Sequence, residues 1–343
     1  VMEGYYELSG ADTRMFAAAG ATGDYLRPSL RFNASAMAGY SQFSGMAYSR
    51  YDTLKLQPGP GHWQKGGKWL DALFRFQYKP LDYLWLEAGR NRLVTGSGIR
   101  SLLLGGEGPA YPYAGLSINF PAFHYDFRVM QLREYAQRNG ANQWIRKFAV
   151  MHQFHWNAAE WLQIYAFESI VWGARDSVGY RGWEWNYLNP VVFLRPVEFS
   201  IGSPDNVLMG LGVNIRPWRN LFLYGQFVLD EFNLSYARME ESWWANKYGL
   251  QAGLRWTDPL GLPASWVQTE VNVVRPFTYS HTNRYNAYTH RMSSLAHPAG
   301  ANFAEWLLKA GIYRGNWQWR LELAAMMKGR DSRDTISYGG DIL

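Results

Sequence analysis

No cysteine occurs in the 343 residues. Small secreted folds often rely on disulfides, but a chain of this length can bury enough surface without them. Long apolar runs are also lacking. Mean hydropathy is −0.31, and no stretch approaches the roughly 18 to 20 apolar residues of a transmembrane helix. The chain therefore does not cross a bilayer on helices. Charge of one sign is lacking too: 34 basic residues are interleaved with 28 acidic ones. With no RNA- or DNA-binding signature, nucleic acid is not an expected partner. Val1-Met2-Glu3-Gly4 carries neither the basic nor the apolar segment of a signal peptide, a start shared by any processed chain.

Aromatic residues, by contrast, are abundant, with 17 Trp and 23 Tyr. Such side chains settle at membrane–water boundaries, apolar body inward and polar tip outward. Once helices are excluded, a closed barrel is the way left for a chain to satisfy its backbone in lipid. A soluble β fold is the competing reading.

Period-two alternation decides between helix and strand. Tyr248, Leu250, Ala252, Leu254 and Trp256 are apolar, whereas Lys247, Gly249, Gln251, Gly253 and Arg255 between them are small or polar. Val267 to Val273, Ala304 to Ile312 and Trp317 to Leu323 repeat the pattern. On a 3.6-residue wheel these apolar sets would scatter. About fourteen strands follow, at 31–40, 44–51, 69–78, 83–90, 114–120, 123–134, 143–156, 161–172, 207–216, 221–230, 247–257, 265–275, 302–313 and 317–327. Their lengths centre near the roughly 9 to 11 residues of a tilted membrane strand.

Short turns such as Pro217-Trp218-Arg219-Asn220 alternate with long connections at 91–112, 173–204, 231–246 and 276–301. Outer-membrane barrels have this rhythm, and the apolar stripes end on Trp and Tyr, as interface girdles do. A single all-β transmembrane barrel over 1–343 is the expected fold. The chain stops at Tyr338-Gly339-Gly340-Asp341-Ile342-Leu343, which reads as the start of another strand. Further strands are therefore expected, since an open edge in lipid leaves backbone groups unpaired.

The face opposite the apolar stripes is charged. Arg31, Asp71, Arg75, Lys247, Arg255, Glu270, Glu305, Lys309, Arg320 and Glu322 would point into the lumen. Opposite signs on neighbouring strands are expected to pair and fill it. A largely occluded lumen suits a platform better than a general pore.

Chemistry has little foothold. His152 and His155 stand three apart on one strand, so their rings face opposite ways and share no metal. Gly96-Ser97-Gly98 lacks a His and acid partner. The run from Gly96 to Gly108, GSGIRSLLLGGEG, lacks the Lys-Ser/Thr of a phosphate loop. Adjacent acids at Asp230-Glu231 and Glu240-Glu241 are ordinary for solvated loops. No catalytic residue, metal site or cofactor is assigned.

Sugar binding has more support. Trp183, Trp185, Tyr187, Trp243, Trp244, Tyr279, Tyr285 and Tyr288 crowd the long connections beside Arg181, Arg284, Asn283 and Asn286. Aromatic faces with planar hydrogen-bonding groups suit a glycan, and exposed aromatic clusters equally suit a protein partner. Both readings stay open.

Four segments carry a resemblance, in order: Leu86 to Leu104, Phe123 to Leu132, Asn189 to Gly212 and Tyr224 to Phe232. Together they resemble the Wzi-like capsule-assembly family, most nearly its Bacteroidota branch with gliding-motility RemB-like proteins. The resemblance implies a non-enzymatic outer-membrane barrel, of roughly 16 to 18 strands in the full-length protein, with long loops at the cell surface. It also implies capsular polysaccharide as a partner, or other outer-membrane, gliding or secretion proteins, besides lipid. The matching positions are Asn189, Pro190, Arg195, Pro196, Glu198, Asp205, Asn206, Asp230 and Glu231. The prolines of NPVVFLRPVEFSIGSPDN forbid a central strand. Arg195 and Glu198 are expected to staple this loop to the lumen charges or to each other.

Overall fold

The computed structural model describes residues 2–9, 12–42, 63–65, 68–138, 141–175, 179–189, 205–231, 246–329, 339, 340 and 342. Its strands are β1 (Met2–Ser9), β2 (Asp12–Leu26), β3 (Leu30–Gln42), β4 (Trp63–Lys65), β5 (Lys68–Leu81) and β6 (Leu84–Asn91). Next come β7 (Tyr111–Asn119), β8 (Phe123–Arg138), β9 (Ala141–Ala159), β10 (Leu162–Gly173), β11 (Asn206–Trp218) and β12 (Leu221–Glu231). The last are β13 (Lys247–Thr257), β14 (Ser265–Val274), β15 (Thr289–His290), β16 (Ser293–Ser294), β17 (Phe303–Arg314) and β18 (Trp317–Lys328). One 16-stranded sheet contains all but β15 and β16, which form a small hairpin of their own. Its strands follow chain order and every neighbouring pair is antiparallel; β4 lies off the path, against β5. Up-and-down order needs only hairpin links.

Burial is inverted relative to a water-soluble sheet. Along β14, Gln268, Glu270 and Asn272 are buried while Val271 and Val273 are exposed. The same phase runs through β13, where Gln251 is buried and Leu250 exposed, and through β5 and β10, where Phe74, Phe76 and Ile164 face out. An apolar exterior around a polar interior is unfavourable in water and favourable in hydrocarbon. Exposed Tyr25, Tyr83, Phe120, Trp156, Trp161, Trp218, Trp317 and Trp319 gather at the strand ends that carry the short turns, forming one aromatic girdle. The fold is an all-β barrel of the outer-membrane type.

The expected strands match the structure closely except at the start. β1, β2 and β4 extend the sheet beyond the expected count, and the strand expected at 44–51 falls outside the described residues. β18 is exposed along its whole length.

Curvature is shown by a contact between distant strands. The connection 92–110, leaving β6, reaches β12, β13 and β14 on the other side of the interior. The connection 275–302 enters beside it. Together they bring Leu102, Leu103, Leu104, Tyr279, Tyr288 and Leu295 against inward residues such as Met130, Tyr165, Phe167 and Leu208. The molecule's main apolar core is therefore inside the barrel, toward the long-connection rim.

Candidate functional site: a plugged lumen above a polar vestibule

The plug is anchored by Glu270. Its carboxylate accepts from the backbone N–H of Ile99 at 2.5 Å and of Arg100 at 3.0 Å. Tyr224 donates to it at 2.9 Å, and Asn272 Nδ2 also at 2.9 Å. Gln226 Oε1 accepts from Leu102 N–H at 2.8 Å, and the Tyr279 hydroxyl donates to the Leu102 carbonyl at 2.7 Å. Gly105 N–H donates to the Leu295 carbonyl at 2.7 Å, joining the two inserted connections. Two glycines make the fit possible. At Gly96, φ is +91° and a Cβ would lie 1.8 Å from Gln226 Nε2; at Gly98 one would lie 2.6 Å from the Glu270 carboxylate.

A second carboxylate backs the first. Glu305 accepts from Asn272 at 3.2 Å and meets His297 Nε2 at 2.7 Å, with Arg100 3.9 Å away. Asp230 accepts from Tyr279 N–H at 2.7 Å and so holds the 275–302 connection. In that connection His290 receives a hydrogen bond from Arg133 N–H at 3.0 Å and lies edge-on to Tyr111. Burial, then Arg291 and Lys147 nearby, depress its basicity well below the ordinary imidazole value.

Below the plug, the inward faces of β3 and β5 to β9 enclose a cavity of about 610 Å³. Its walls are polar. Glu87 accepts from Arg75 at 2.7 Å, Gln77 at 2.7 Å and the Tyr113 hydroxyl at 2.5 Å. Asp126 binds Arg128 at 2.9 Å, the Ser117 hydroxyl at 2.6 Å and His124 Nε2 at 2.6 Å. The Arg31 guanidinium lies 4.5 Å over the Trp85 ring. Leu93, Val94 and Thr95 of the plug border the cavity on the side away from the short turns, Thr95 buried and Val94 exposed, while exposed Arg31 and Asn119 mark its short-turn end.

The 174–189 connection behaves differently: it lies against the outside of the wall. Outward-facing Phe148 and Trp172 pack with Trp183 and Tyr187, with ring centroids 4.9 to 5.9 Å apart. Asp205 clamps it by accepting from Arg181 at 2.7 Å and from the Tyr187 hydroxyl at 2.7 Å. Burial and the Asp205 charge raise the pKa of that hydroxyl above its ordinary range. Trp185, by contrast, is 75% exposed.

Of the expected site residues, Asp205 and Asp230 are loop clamps, and Asn206 is buried at the start of β11. Asn189 ends the described part of its connection, and Glu231 pairs in register with Lys247. Arg195 and Glu198, with their expected staple, lie outside the described residues; Arg181 and Asp205 form a clamp in the same connection. Arg75, Glu270 and Glu305 face the interior. Glu270, however, is neutralised mainly by backbone amides rather than by a basic side chain on the next strand. Arg255 and Arg320 are exposed, and Glu322 meets Lys309 at 3.4 Å on the exposed β17–β18 end of the sheet. Arg255 still reaches the buried network by donating to Gln268 Oε1 at 3.3 Å, whereas Lys309 and Glu322 pair apart from it. His152 and His155 do point apart: His155 stacks on Tyr165 inside, and His152 meets the Tyr125 hydroxyl outside. Among the described residues no group of acids and histidines could hold a metal ion.

The inserted loop at 92–110 was not foreseen. Its one signal is Leu102-Leu103-Leu104, an apolar run in a glycine-rich connection.

No family model and no curated protein matches the chain. Among solved structures, a multiply substituted Rhodopseudomonas blastica porin is 8% identical, with TM-score 0.42, over 95% of this chain and 91% of that one. Acinetobacter baumannii OccAB2 is 10% identical, with TM-score 0.36, over 93% of this chain and 87% of that one. Pseudomonas aeruginosa OpdQ is 10% identical, with TM-score 0.39, over 94% and 90%. Likenesses this loose carry no inference about what the present chain does.

Proposed function

We propose that this chain is a non-enzymatic outer-membrane barrel that works as an occluded platform, attaching or organising capsular polysaccharide at the cell surface. The filled lumen carries this reading: the 92–110 and 275–302 connections pack an apolar core where an open pore would have water. The four Wzi-like segments supply the polysaccharide part, and the long-connection rim would then face outward. Deleting the gene should leave cells with less surface-bound capsule while secreted polysaccharide persists. Unchanged capsule attachment would defeat the proposal.

A second reading, a barrel subunit of a gliding, adhesion or secretion assembly, is favoured by the outer-wall connection with its exposed Trp185 and Tyr180. Stoichiometric protein partners retained in mild detergent would support that reading over the first.

A further inference from the structure

We infer that the vestibule below the plug is a binding site for a small polyhydroxylated anion of the sugar-acid class, reached from the short-turn rim. Two buried hydrogen-bond donors and one exposed guanidinium border this one cavity without protein acceptors among the described residues. Gln153 is 3% exposed and its Nε2 has no hydrogen-bond partner. Arg75 Nε is likewise buried and unpartnered, although the same side chain binds Glu87 through Nη2. Arg31 stacks on Trp85, and no carboxylate pairs with it among the described residues. A buried donor left unmatched is destabilising, so Gln153 and Arg75 are best explained by acceptors that arrive with a ligand.

Charge narrows the class. Arg75 and Arg128 offset Glu87 and Asp126, while Asp71 is shared between Arg92 and Arg90, so the wall carries an excess of positive charge, and Arg31 is a cation with no carboxylate partner among the described residues. A negatively charged ligand fits that excess. A bare anion would nonetheless meet Glu87 and Asp126, which repel it. Hydroxyl groups resolve the conflict, because they donate to carboxylates and accept from Gln153 and Arg75. A cavity of about 610 Å³ has room for one or two sugar rings. The site opens toward the short-turn rim, away from the rim of the long connections, so it stands whether that rim binds glycan or protein.

The test is calorimetric titration of the full chain in detergent micelles with D-glucuronate, glucose and acetate. Saturable binding of glucuronate is expected, with glucose and acetate each at least tenfold weaker. Arg31→Met, at an exposed position, and Gln153→Leu should each weaken glucuronate binding about tenfold. Retention of heat-dependent gel mobility establishes that each variant is folded. A Gln153→Leu variant that fails to fold leaves Arg31→Met as the deciding measurement. The inference is overturned if glucuronate shows no saturable binding, if glucose or acetate binds as tightly, or if Arg31→Met binds it undiminished.

Discussion

Glu270 shows how one carboxylate can determine what a barrel contains. It is 1% exposed and receives four hydrogen bonds, two of them from consecutive backbone amides of a connection that begins on the far side of the interior. In Glu270→Gln the side-chain oxygen can keep at most one of those amides, while the new NH₂ group faces the other donor. Charged-acceptor hydrogen bonds are worth about 1.5–3 kcal/mol each. Unfolding in micelles should show a loss of about 2 kcal/mol, with faster proteolysis within 92–110. His290 sets a pH limit on the second connection. Its folded-state value is depressed below the ordinary 6.5, so protons are taken up by the released connection and not by the docked one. Docking of 275–302 should be complete above about pH 6.5 and weaken as pH falls below it. Hydrogen exchange at Tyr288 to Leu295 across pH 5 to 8 would detect this, and a flat profile would contradict it.

At the scale of elements, the strands were legible and the insertions were not. Alternation is visible in β13, β14, β17 and β18 because lipid and lumen demand opposite residues on alternate positions. It fades in β2, where Ala17-Ala18-Ala19-Gly20-Ala21 offers almost no contrast between faces. The inserted connection follows no period at all, and its destination depends on partners far away in sequence: Gln226, Gln251 and Glu270. Asp205 stands out in the sequence only as a position of its matched segment, and Arg181, its partner, lies outside all four segments. Packing predicts the effect of trimming the plug. Leu103 is fully buried, so Leu103→Ala should cost about 2–5 kcal/mol, read as a lower midpoint of denaturation. A surface-loop reading of 92–110 predicts no measurable change there.

For the whole molecule, the inverted burial makes detergent or lipid a structural requirement. Unheated protein should run faster on electrophoresis than boiled protein, as closed barrels do. Occlusion adds a sharper expectation. The intact chain should be nearly silent in planar bilayers at neutral pH, and deletion of residues 96–104 should open long-lived conductance. Large conductance from the intact chain would contradict a filled lumen.

The contact between Ile99 and Glu270 spans 171 residues. Its consequence is temporal. When the first half of the chain emerges, Leu102-Leu103-Leu104 has nowhere to go, because Gln226 and Glu270 have not yet been made. Closing so long a loop is slow, and an unsheltered leucine triplet is a site for misassociation in the interval. A chain truncated before β12 should therefore depend more heavily on periplasmic holding chaperones than the full chain does. The plug is the last piece to find its place and the first to need protection.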